Sequence, residues 1–352
     1  MPHSRSTRKA QPPTTKLLLI QLKRIGDALL TTPLISTLRE HLPDAHITLA
    51  LDRATAALAP ALGADRTIIF RRGFAGAPFW HELATGKFDI CIDLTGNDRS
   101  GLATALSRAP RRITWTRFSK KPLRRAVYSD FVDSSVKHRH TADHHTDLLQ
   151  PLGIHVENVP LSLHLPDEAR AEAAEALSAA GVDAAAPFAV IHAGTARPEK
   201  YWSPERWAEI ATLLRREHGL PVLLTGSRDA AERKHLEAIQ RALASAGESH
   251  CPNLAGRLSL LGTAAVLSRA RLLCAVDSAP VHLADALDVP LVALFGPTNP
   301  YHWRPRRASA CVVTAAGAPP FSPAHPQAPM SEISTAAVGE AIRTLVGASR
   351  NV

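Results

Sequence analysis

A carboxylate with a suitable setting for proton transfer lies near the start of the chain. Asp27 follows Gly26 shortly after the apolar run 16–20, and a helical pattern over 28–41 comes directly after it. A carboxylate at the carboxyl end of a buried strand can act as a general base if it reaches the proton that it removes. It can equally cap the helix that follows, and this stretch alone leaves both roles open.

A second polar turn follows the apolar run 188–192, in the sequence HAGTARPEK. Gly194 allows a ligand to approach the backbone closely, Thr195 offers a hydroxyl, and Lys200 offers a compact positive charge. These groups suit a phosphate. A solvated loop with one exposed lysine is the alternative.

The stretch 271–300 reads as strand, turn, helix, strand and turn. We expect a buried strand over 272–276, a helix over 281–287 with Ser278 as its N-cap, and a strand over 291–295. A helix N-terminus presents free N–H groups and positive dipole charge, so it can hold a phosphate. An ordinary cap beside a surface histidine, His282, is the alternative.

Strand and helix patterns alternate through both halves of the chain. Further strands are expected over 16–20, 46–51, 67–70, 88–94, 111–115, 188–192, 221–225 and 312–313. Further helices are expected over 28–41, 100–106, 140–150, 167–180, 203–217, 230–244, 260–268 and 333–346. The alternation predicts an α/β protein with two doubly wound, Rossmann-like domains that face a cleft. We place the domains at 16–165 and 166–352, after a disordered basic tail at 1–15.

Composition indicates a globular protein that meets an anionic partner. The 352 residues are 45% hydrophobic and 21% charged, with a formal net charge of +9. This charge suits nucleic acid, a membrane surface or a phosphorylated substrate. No apolar run is long enough to span a membrane, and the N-terminal residues lack the apolar region of a secretory signal. The scattered cysteines, among them Cys91 and Cys274 in apolar runs, predict buried free thiols in a reducing compartment.

Several cofactor motifs are absent from the sequence. It contains no G-x-G-x-x-G, no G-x-x-x-x-G-K-[ST] and no Asp-x-Asp triplet, so we expect no NAD, FAD, P-loop or metal chemistry. A group of histidines could bind a metal, but we expect it to form a solvated helix face. Its members are His138, His140, His144 and His145.

A strongly basic run, RAPRRITWTRFSKKPLRR, covers residues 108–125 and contains Trp115 and Phe118. It could contact nucleic acid, the phosphates or carboxylates of a substrate, an anionic membrane, or solvent alone. The candidate side chains are those of Arg111, Arg112, Arg117, Lys120, Lys121, Arg124 and Arg125.

Three ordered motifs together resemble a known family. They are KRIGDALLTTPLISTLREHLPDA, HAGTARPEKYWSPERW and AVDSAPVHLADALDVPLVALFGPTNP. Over nearly the whole chain after Lys16, the sequence resembles the ADP-heptose:lipopolysaccharide heptosyltransferases, glycosyltransferase family nine. VDSAPVH, YHWRPR, KFDICIDLTGNDRSG and HTADHHTDLLQPLGI look most like the heptosyltransferase III branch.

The resemblance implies a GT-B fold and a metal-independent, inverting transfer of heptose from ADP-heptose to the inner core of lipopolysaccharide. It implies Asp27, in the Gly26-Asp27 motif, as the catalytic base, and Lys200 and Thr195, beside Gly194, on the ADP phosphates. It further implies that the nucleotide sugar is held by Asp277, Ser278, Ala279 and His282, the adenine by Leu258, and the ribose by Asp229 or Glu232. Many members have glycine where this chain has Ala279, which implies a less close approach of that loop to the sugar.

The acceptor is expected to meet Arg111, Arg112, Arg117, Lys120 and Lys121 of the N-terminal domain. We expect a cytoplasmic protein in peripheral contact with the anionic inner membrane. The alternatives are a family-nine enzyme that uses another nucleotide sugar, and a non-catalytic sugar-nucleotide-binding protein. A nucleic-acid binder is disfavoured, because no known RNA- or DNA-binding module is present.

Overall fold

The computed structural model describes residues 14–183, 185–248 and 251–348, apart from the side chain of Ala348, and its strands form two parallel sheets. The first has the order β3-β2-β1-β4-β5-β6, with β1 (Lys16–Gln21), β2 (His46–Asp52), β3 (Arg66–Phe70), β4 (Ile90–Asp93), β5 (Arg111–Trp115) and β6 (Asp130–Val132). The second has the order β11-β10-β9-β7-β8, with β7 (Ala189–His192), β8 (Val222–Leu224), β9 (Leu272–Val276), β10 (Leu291–Phe295) and β11 (Ala310–Thr314).

Helices connect and cover the strands of both sheets. They are α1 (Ile25–Leu29), α2 (Thr32–His41), α3 (Ala77–Thr85), α4 (Asp98–Ser107), α5 (Pro122–Val127), α6 (Thr141–Thr146), α7 (Asp167–Ala179), α8 (Pro204–His218), α9 (Ala230–Ser245), α10 (Leu260–Leu267), α11 (Ala279–Ala286) and α12 (Thr335–Ala348). Short 3-10 helices cover Arg53–Ala61, Gly73–Gly76, Thr116–Phe118, Asp147–Leu152, Pro198–Lys200, Pro300–His302 and Met330–Glu332.

The predicted α/β class is confirmed, and the differences have local causes. The helix expected over 28–41 is two helices, α1 and α2, because Pro33 occupies the first turn of α2 and marks its start. The expected helix over 140–150 is α6 followed by a 3-10 helix that contains Pro151. The strand β6 was not predicted, since three residues are too few to show a period. The basic tail predicted over 1–15 lies outside the described residues except for residues 14 and 15.

The expected solvated histidine face is wrong for three of its four members, since His140, His144 and His145 are buried and His138 alone of the four is exposed. Every residue of α6 is buried, including His144 and His145. The His144 ring stacks on Trp115 with centroids 4.2 Å apart, and Ser134 Oγ lies 2.8 Å from its Nδ1. His145 Nδ1 donates to the carbonyl of Leu30 over 3.0 Å. Burial lowers the pKa of His144 to about 2 and that of His145 to about 3, so both rings are neutral parts of the core.

No cluster of three or more metal-ligating side chains occurs in the described ranges. All four cysteines are free, and Cys91 and Cys274 are buried as predicted. Within the same ranges, no helix has the length and apolar character needed to cross a bilayer.

The segment after β10 ties the second sheet to the first half of the chain. Arg306 Nη1 lies 2.6 Å from Asp143 Oδ2 of α6 in a pair whose side chains are both 13% exposed. His140 Nε2 donates to the carbonyl of Arg304 over 3.0 Å, and Arg307 Nη2 donates to that of Leu161 over 2.9 Å. These contacts, together with the packing of α1 on α11, bring the carboxyl edges of the two sheets to one cleft.

In each sheet, the direction in which successive strands are added reverses at this cleft. In the first sheet the change falls between β1 and β4, and in the second between β7 and β9. Ligands of open α/β sheets bind outside the carboxyl ends of the strands at such switch points. The loops after β1, β7 and β9 are those that carry the predicted site residues, so the fold brings the three polar turns together.

Candidate active site

A cavity of about 870 Å³ lies in the cleft between the carboxyl edges of the two sheets. The first domain contributes Arg24, Ile25, Gly26, Asp27 and Ala54 to its wall. The second contributes His192, Gly194, Thr195, Ala196, Arg197, Pro198, Lys200, Tyr201, Ser227, Asp229, Ala231, Glu232, Asp277, Ser278, Ala279, Pro280, His282, Thr298 and Trp303. Every donor-site residue expected from the sequence is among them except Leu258.

Asp27 enters this cavity from the first turn of α1. Its side chain is 15% exposed, and its Oδ1 lies 3.9 Å from Nζ of Lys23, one turn earlier. Burial lowers the pKa of Lys23, while the negative charge of Asp27 opposes that shift. Gly26 makes the close packing possible, because a Cβ there would lie 3.2 Å from Cδ2 of His282. Helix α1 therefore packs closely against α11, and its carboxylate lies beside a cation.

Lys200 and Asp277 form a buried ion pair in the cavity wall. Lys200 Nζ lies 2.5 Å from Asp277 Oδ2 and 3.2 Å from the carbonyl of the same residue, and the two side chains are 11% and 9% exposed. The pair joins the loop after β7 to the loop after β9. An ammonium group has three N–H donors, so one remains for an anionic ligand.

The N-terminus of α11 has no side-chain cap. Ser278 occupies the N-cap position, as predicted, but its Oγ donates to the carbonyl of Val276 over 3.1 Å instead of accepting from the first turn. The prediction that the Ser278 side chain caps the helix is therefore wrong. Pro280 lies in the first turn, which starts two residues earlier than expected. The remaining free N–H groups and the helix dipole face the cavity, where they can bind an anion.

Two buried polar atoms of the cavity wall have no hydrogen-bond partner among the described residues. They are His282 Nδ1 and Thr298 Oγ1. Burial lowers the pKa of His282, although Asp277 and Asp27 raise it, so the ring is neutral at pH 7. Buried polar atoms are rarely left unpaired in folded proteins, and these two have the placement of ligand contacts.

The loops after β7 and β8 meet through a carboxylate. Glu232 Oε1 accepts from the N–H of Ser227 over 3.0 Å and lies 3.5 Å from His192 Nε2. Gly194 is required here, because a Cβ at this position would lie 1.6 Å from Glu232 Oε1. Asp229 caps α9 through bonds from the N–H groups of its first turn. Both carboxylates predicted to bind ribose line the cavity, and both also hold the local backbone.

The structure divides the predicted acceptor residues into two groups. Arg111 and Arg112 begin β5, at the edge of the sheet away from the cleft, and the structure does not bring them to the site. Arg111 is bonded to Asp130 and to the carbonyl of Pro151, and Arg112 Nη1 donates to the carbonyl of Ala109 over 2.5 Å. We therefore leave both out of the acceptor surface.

Arg117, Lys120 and Lys121 follow the carboxyl end of β5, at the cleft edge. The Arg117 guanidinium lies 4.9 Å from the centroid of the Trp115 ring, and Lys23 Nζ lies 5.9 Å from it. Lys23 is also the cation beside Asp27. Lys23, Arg117 and Trp115 therefore connect the basic run 108–125 with the surroundings of the Asp27 carboxylate.

Leu258 lies apart from the cavity wall and packs, half-buried, against the main apolar cluster. Ser227 lies in the turn 226–229, one of three turns of the second domain whose sequences suit a phosphate, and it lines the cavity. Other cavity residues were not predicted, notably Arg24, His192, Thr298 and Trp303. His192 ends a parallel strand and Thr298 closely follows one, so the positions of the strand ends were a usable signal for both.

Two domains with parallel Rossmann-like sheets that share a cavity at their switch points form the GT-B fold, and solved structures agree. A glycosyl transferase family 9 structure from Veillonella parvula has a TM-score of 0.81 and 27% identity, covering 95% of this chain and 97% of its own. Heptosyltransferase WaaC of E. coli, solved with ADP and with ADP-2-deoxy-2-fluoro heptose, has TM-scores of 0.72 and 0.70 at 22% identity. These comparisons cover 94% of this chain, and 100% and 99% of WaaC.

The chain belongs to glycosyltransferase family 9 (heptosyltransferase), whose family model matches residues 77–326, and it is a glycosyltransferase. Lipopolysaccharide heptosyltransferase 3 of Escherichia coli is 26% identical over 295 residues, which cover 80% of this chain and 83% of that relative. The resemblance seen in the sequence, including that to the heptosyltransferase III branch, is confirmed.

Proposed function

We propose that the protein transfers heptose from ADP-heptose to the inner core of lipopolysaccharide, as a cytoplasmic enzyme working at the inner membrane. The observation that carries this proposal is the shared cavity. It sets the carboxylate of Asp27, from one domain, opposite the cation and the uncapped helix end of the other. A base on one side and anion-binding groups on the other are what transfer from a nucleotide sugar requires.

The donor diphosphate binds at the N-terminus of α11, between Lys200 and Thr195. The uncapped N–H groups near Ser278 and Ala279, and the third N–H of Lys200, support this placement. The ligands of WaaC, ADP and an ADP-heptose analogue, have the same chemistry. Asp229 and Glu232 line the same cavity and would hold the ribose hydroxyls, and His282 Nδ1 remains for the sugar or a phosphate.

The reaction is a single displacement with inversion and no metal ion. Asp27 removes the proton of the acceptor hydroxyl, and the oxygen attacks the anomeric carbon from the face opposite the diphosphate. The bond between this carbon and the β-phosphate oxygen breaks, and ADP leaves with the electron pair. Lys200, Thr195 and the N–H groups stabilise the charge that builds on this oxygen, each bond contributing about 1.5–3 kcal/mol.

The acceptor approaches Asp27 from the side of Lys23, Arg117 and Trp115. Both cations lie against the same indole ring, and Lys23 is 3.9 Å from the carboxylate. They suit a phosphate or carboxylate of a sugar core, while the indole ring, which is fully buried, supports the two cations from below. Lys120 and Lys121 are exposed in the segment that follows and extend this basic surface.

ADP release tests this function. Purified protein is given ADP-L-glycero-D-manno-heptose and deacylated core acceptors of increasing length, and parallel reactions contain other nucleotide sugars. We expect release that depends on both ADP-heptose and one acceptor. Acceptor-dependent release from a different nucleotide sugar alone would replace the proposed donor. Donor binding without release for any acceptor would favour a non-catalytic binding protein.

A further inference from the structure

The large apolar side chains that the described residues leave exposed are confined to one region of the N-terminal domain. They are Phe74, Leu102 and Leu123, with exposed fractions of 102%, 53% and 87%. Single exposed apolar residues are common on protein surfaces and need no explanation. A fully exposed phenylalanine and a nearly fully exposed leucine at the same edge of one sheet are less usual.

The three side chains belong to elements that α4 connects, although three strands separate β3 and β5 in the sheet. Phe74 is in the 3-10 helix after β3, and Leu123 is in α5 after β5, so both follow carboxyl ends of parallel strands at the cleft edge. Helix α4, which carries Leu102, packs against both α3 and α5. Its first residue, Asp98, accepts from Arg124 Nε of α5 over 3.0 Å. The next, Arg99, lies 4.5 Å from the ring centroid of Phe70 at the end of β3. The start of α4 therefore contacts residues that lie close in sequence to both apolar tips.

Exposed cations flank both tips. Arg71 and Arg72 precede Phe74, while Lys120, Lys121 and Arg125 surround Leu123. None of these five forms an ion pair within the described residues, whereas the neighbouring Arg124 is paired with Asp98. The cations are thus free to meet an external anion next to each apolar side chain.

We propose that this surface docks the enzyme on an anionic lipid bilayer, with Phe74 and Leu123 entering the boundary between headgroups and acyl chains. We call it the apolar–basic face: Phe74, Leu102, Leu123, Arg71, Arg72, Lys120, Lys121 and Arg125. A lipid surface is the partner that takes isolated apolar tips and scattered cations together, since the tips bury apolar area and the cations meet lipid phosphates. A nucleic acid offers no comparable place for an aliphatic side chain.

Docking of this face has a consequence for the reaction, which rests on the proposed function. Apart from Leu102, which lies in the middle of α4, the apolar–basic face lies at the same sheet edge as Asp27, Arg117 and the cavity. A bilayer held there brings the sugar of a lipid-linked acceptor to the side of the cleft where the base lies. Docking itself needs neither donor nor acceptor, so it can be tested alone.

Co-sedimentation with lipid vesicles measures the docking. Full-length protein is mixed with vesicles of phosphatidylcholine, or of phosphatidylcholine with phosphatidylglycerol, and the bound fraction gives a partition coefficient. We expect preference for the anionic vesicles, weakened by salt. Phe74→Ser/Leu123→Ser should lower the coefficient by about tenfold or more, given the apolar area lost. Arg71→Gln/Arg72→Gln should lower it by roughly fivefold for each charge removed.

A matched control removes two exposed charges from the other domain. Arg233→Gln/Lys234→Gln, on α9, should bind vesicles as the wild type does. Binding equal to wild type in the Phe74→Ser/Leu123→Ser variant would overturn insertion by the tips. Equal losses in the α9 control would reduce the effect to net charge alone. Because Phe74 and Leu123 make no core contact, both variants should fold, and turnover of a deacylated, soluble acceptor should stay unchanged in the Ser variant.

Discussion

Replacing Lys200 by methionine separates its two roles, the ion pair with Asp277 and the proposed contact with the donor phosphate. Methionine keeps the length of the side chain and removes the charge. If Lys200 donates a charge-assisted hydrogen bond to the leaving phosphate, its loss costs about 1.5–3 kcal/mol of transition-state stabilisation. We therefore expect kcat/KM to fall by roughly 10- to 150-fold.

The same substitution should also destabilise the fold. Asp277 would keep a carboxylate that is 9% exposed and has lost its ammonium partner at 2.5 Å. Breaking a buried pair from one side typically costs about 3–5 kcal/mol. A lower thermal midpoint alone is therefore not a sign of a catalytic role, and activity must be compared at a temperature where each variant is folded.

The variant Lys200→Met/Asp277→Asn distinguishes the roles. Removing both charges should recover most of the lost free energy of unfolding, while kcat/KM should stay at least tenfold below that of Asp277→Asn alone. Steady-state ADP release and calorimetric ADP binding measure the two effects, with the exposed Lys234→Met as a control for loss of charge. If Lys200→Met costs nothing in the Asp277→Asn background, Lys200 only neutralises its partner, and the phosphate assignment fails.

Three further predictions concern burial and packing. Burial raises the pKa of Asp285 to about 6. Between about pH 4 and 6 the native state therefore binds more protons than the unfolded chain. As the pH rises through this range, ionisation of Asp285 destabilises the fold. Asp285→Asn should thus raise the free energy of unfolding by up to about 3 kcal/mol at pH 7 and by little at pH 4; an equal effect at both pH values would contradict it. Burial lowers the pKa of His145 to about 3, so the neutral ring's contribution to stability is lost as the pH falls below 6.5. The loss is about 1.4 kcal/mol of unfolding free energy per pH unit. The free energy of unfolding in urea should therefore depend less on pH for His145→Gln than for the wild type. Gly194→Ala should weaken calorimetric ADP binding at least tenfold by displacing Glu232. Gly347→Ala, in α12, should leave ADP binding unchanged, because that glycine has open space around it and no positive φ.

The sequence predicted the elements around the site well, because strands buried on both faces appear as continuous apolar runs. The run 272–276 coincides with β9, and the polar turns after β1, β7 and β9 meet at the cleft as the switch-point rule requires. The same rule could have excluded Arg111 and Arg112, since a residue that begins a parallel strand lies at the opposite edge. That signal was available and went unused.

Other features depend on packing that no local pattern reports. Lys200 and Asp277 are 77 positions apart, so their pairing appears only once the loops after β7 and β9 are placed in space. The polar sequence of α6 indicates a solvated helix, yet Trp115 and the backbone of Leu30 cover its histidines. The missing cap at Ser278 is also invisible in sequence, because serine is a common residue at that position with or without a capping bond.

The most direct test of the account compares wild type with Asp27→Asn in the acceptor-dependent release of ADP from ADP-heptose, with the anomeric configuration of the product determined by NMR. We predict inversion in the wild type and a fall in kcat of at least about 100-fold in the variant, since a general base contributes roughly 10²–10⁴-fold. Calorimetric binding of ADP should be unchanged, because the nucleotide is held by the other domain. Retention of configuration, or near-normal turnover by Asp27→Asn, would contradict the assignment of Asp27 as the base.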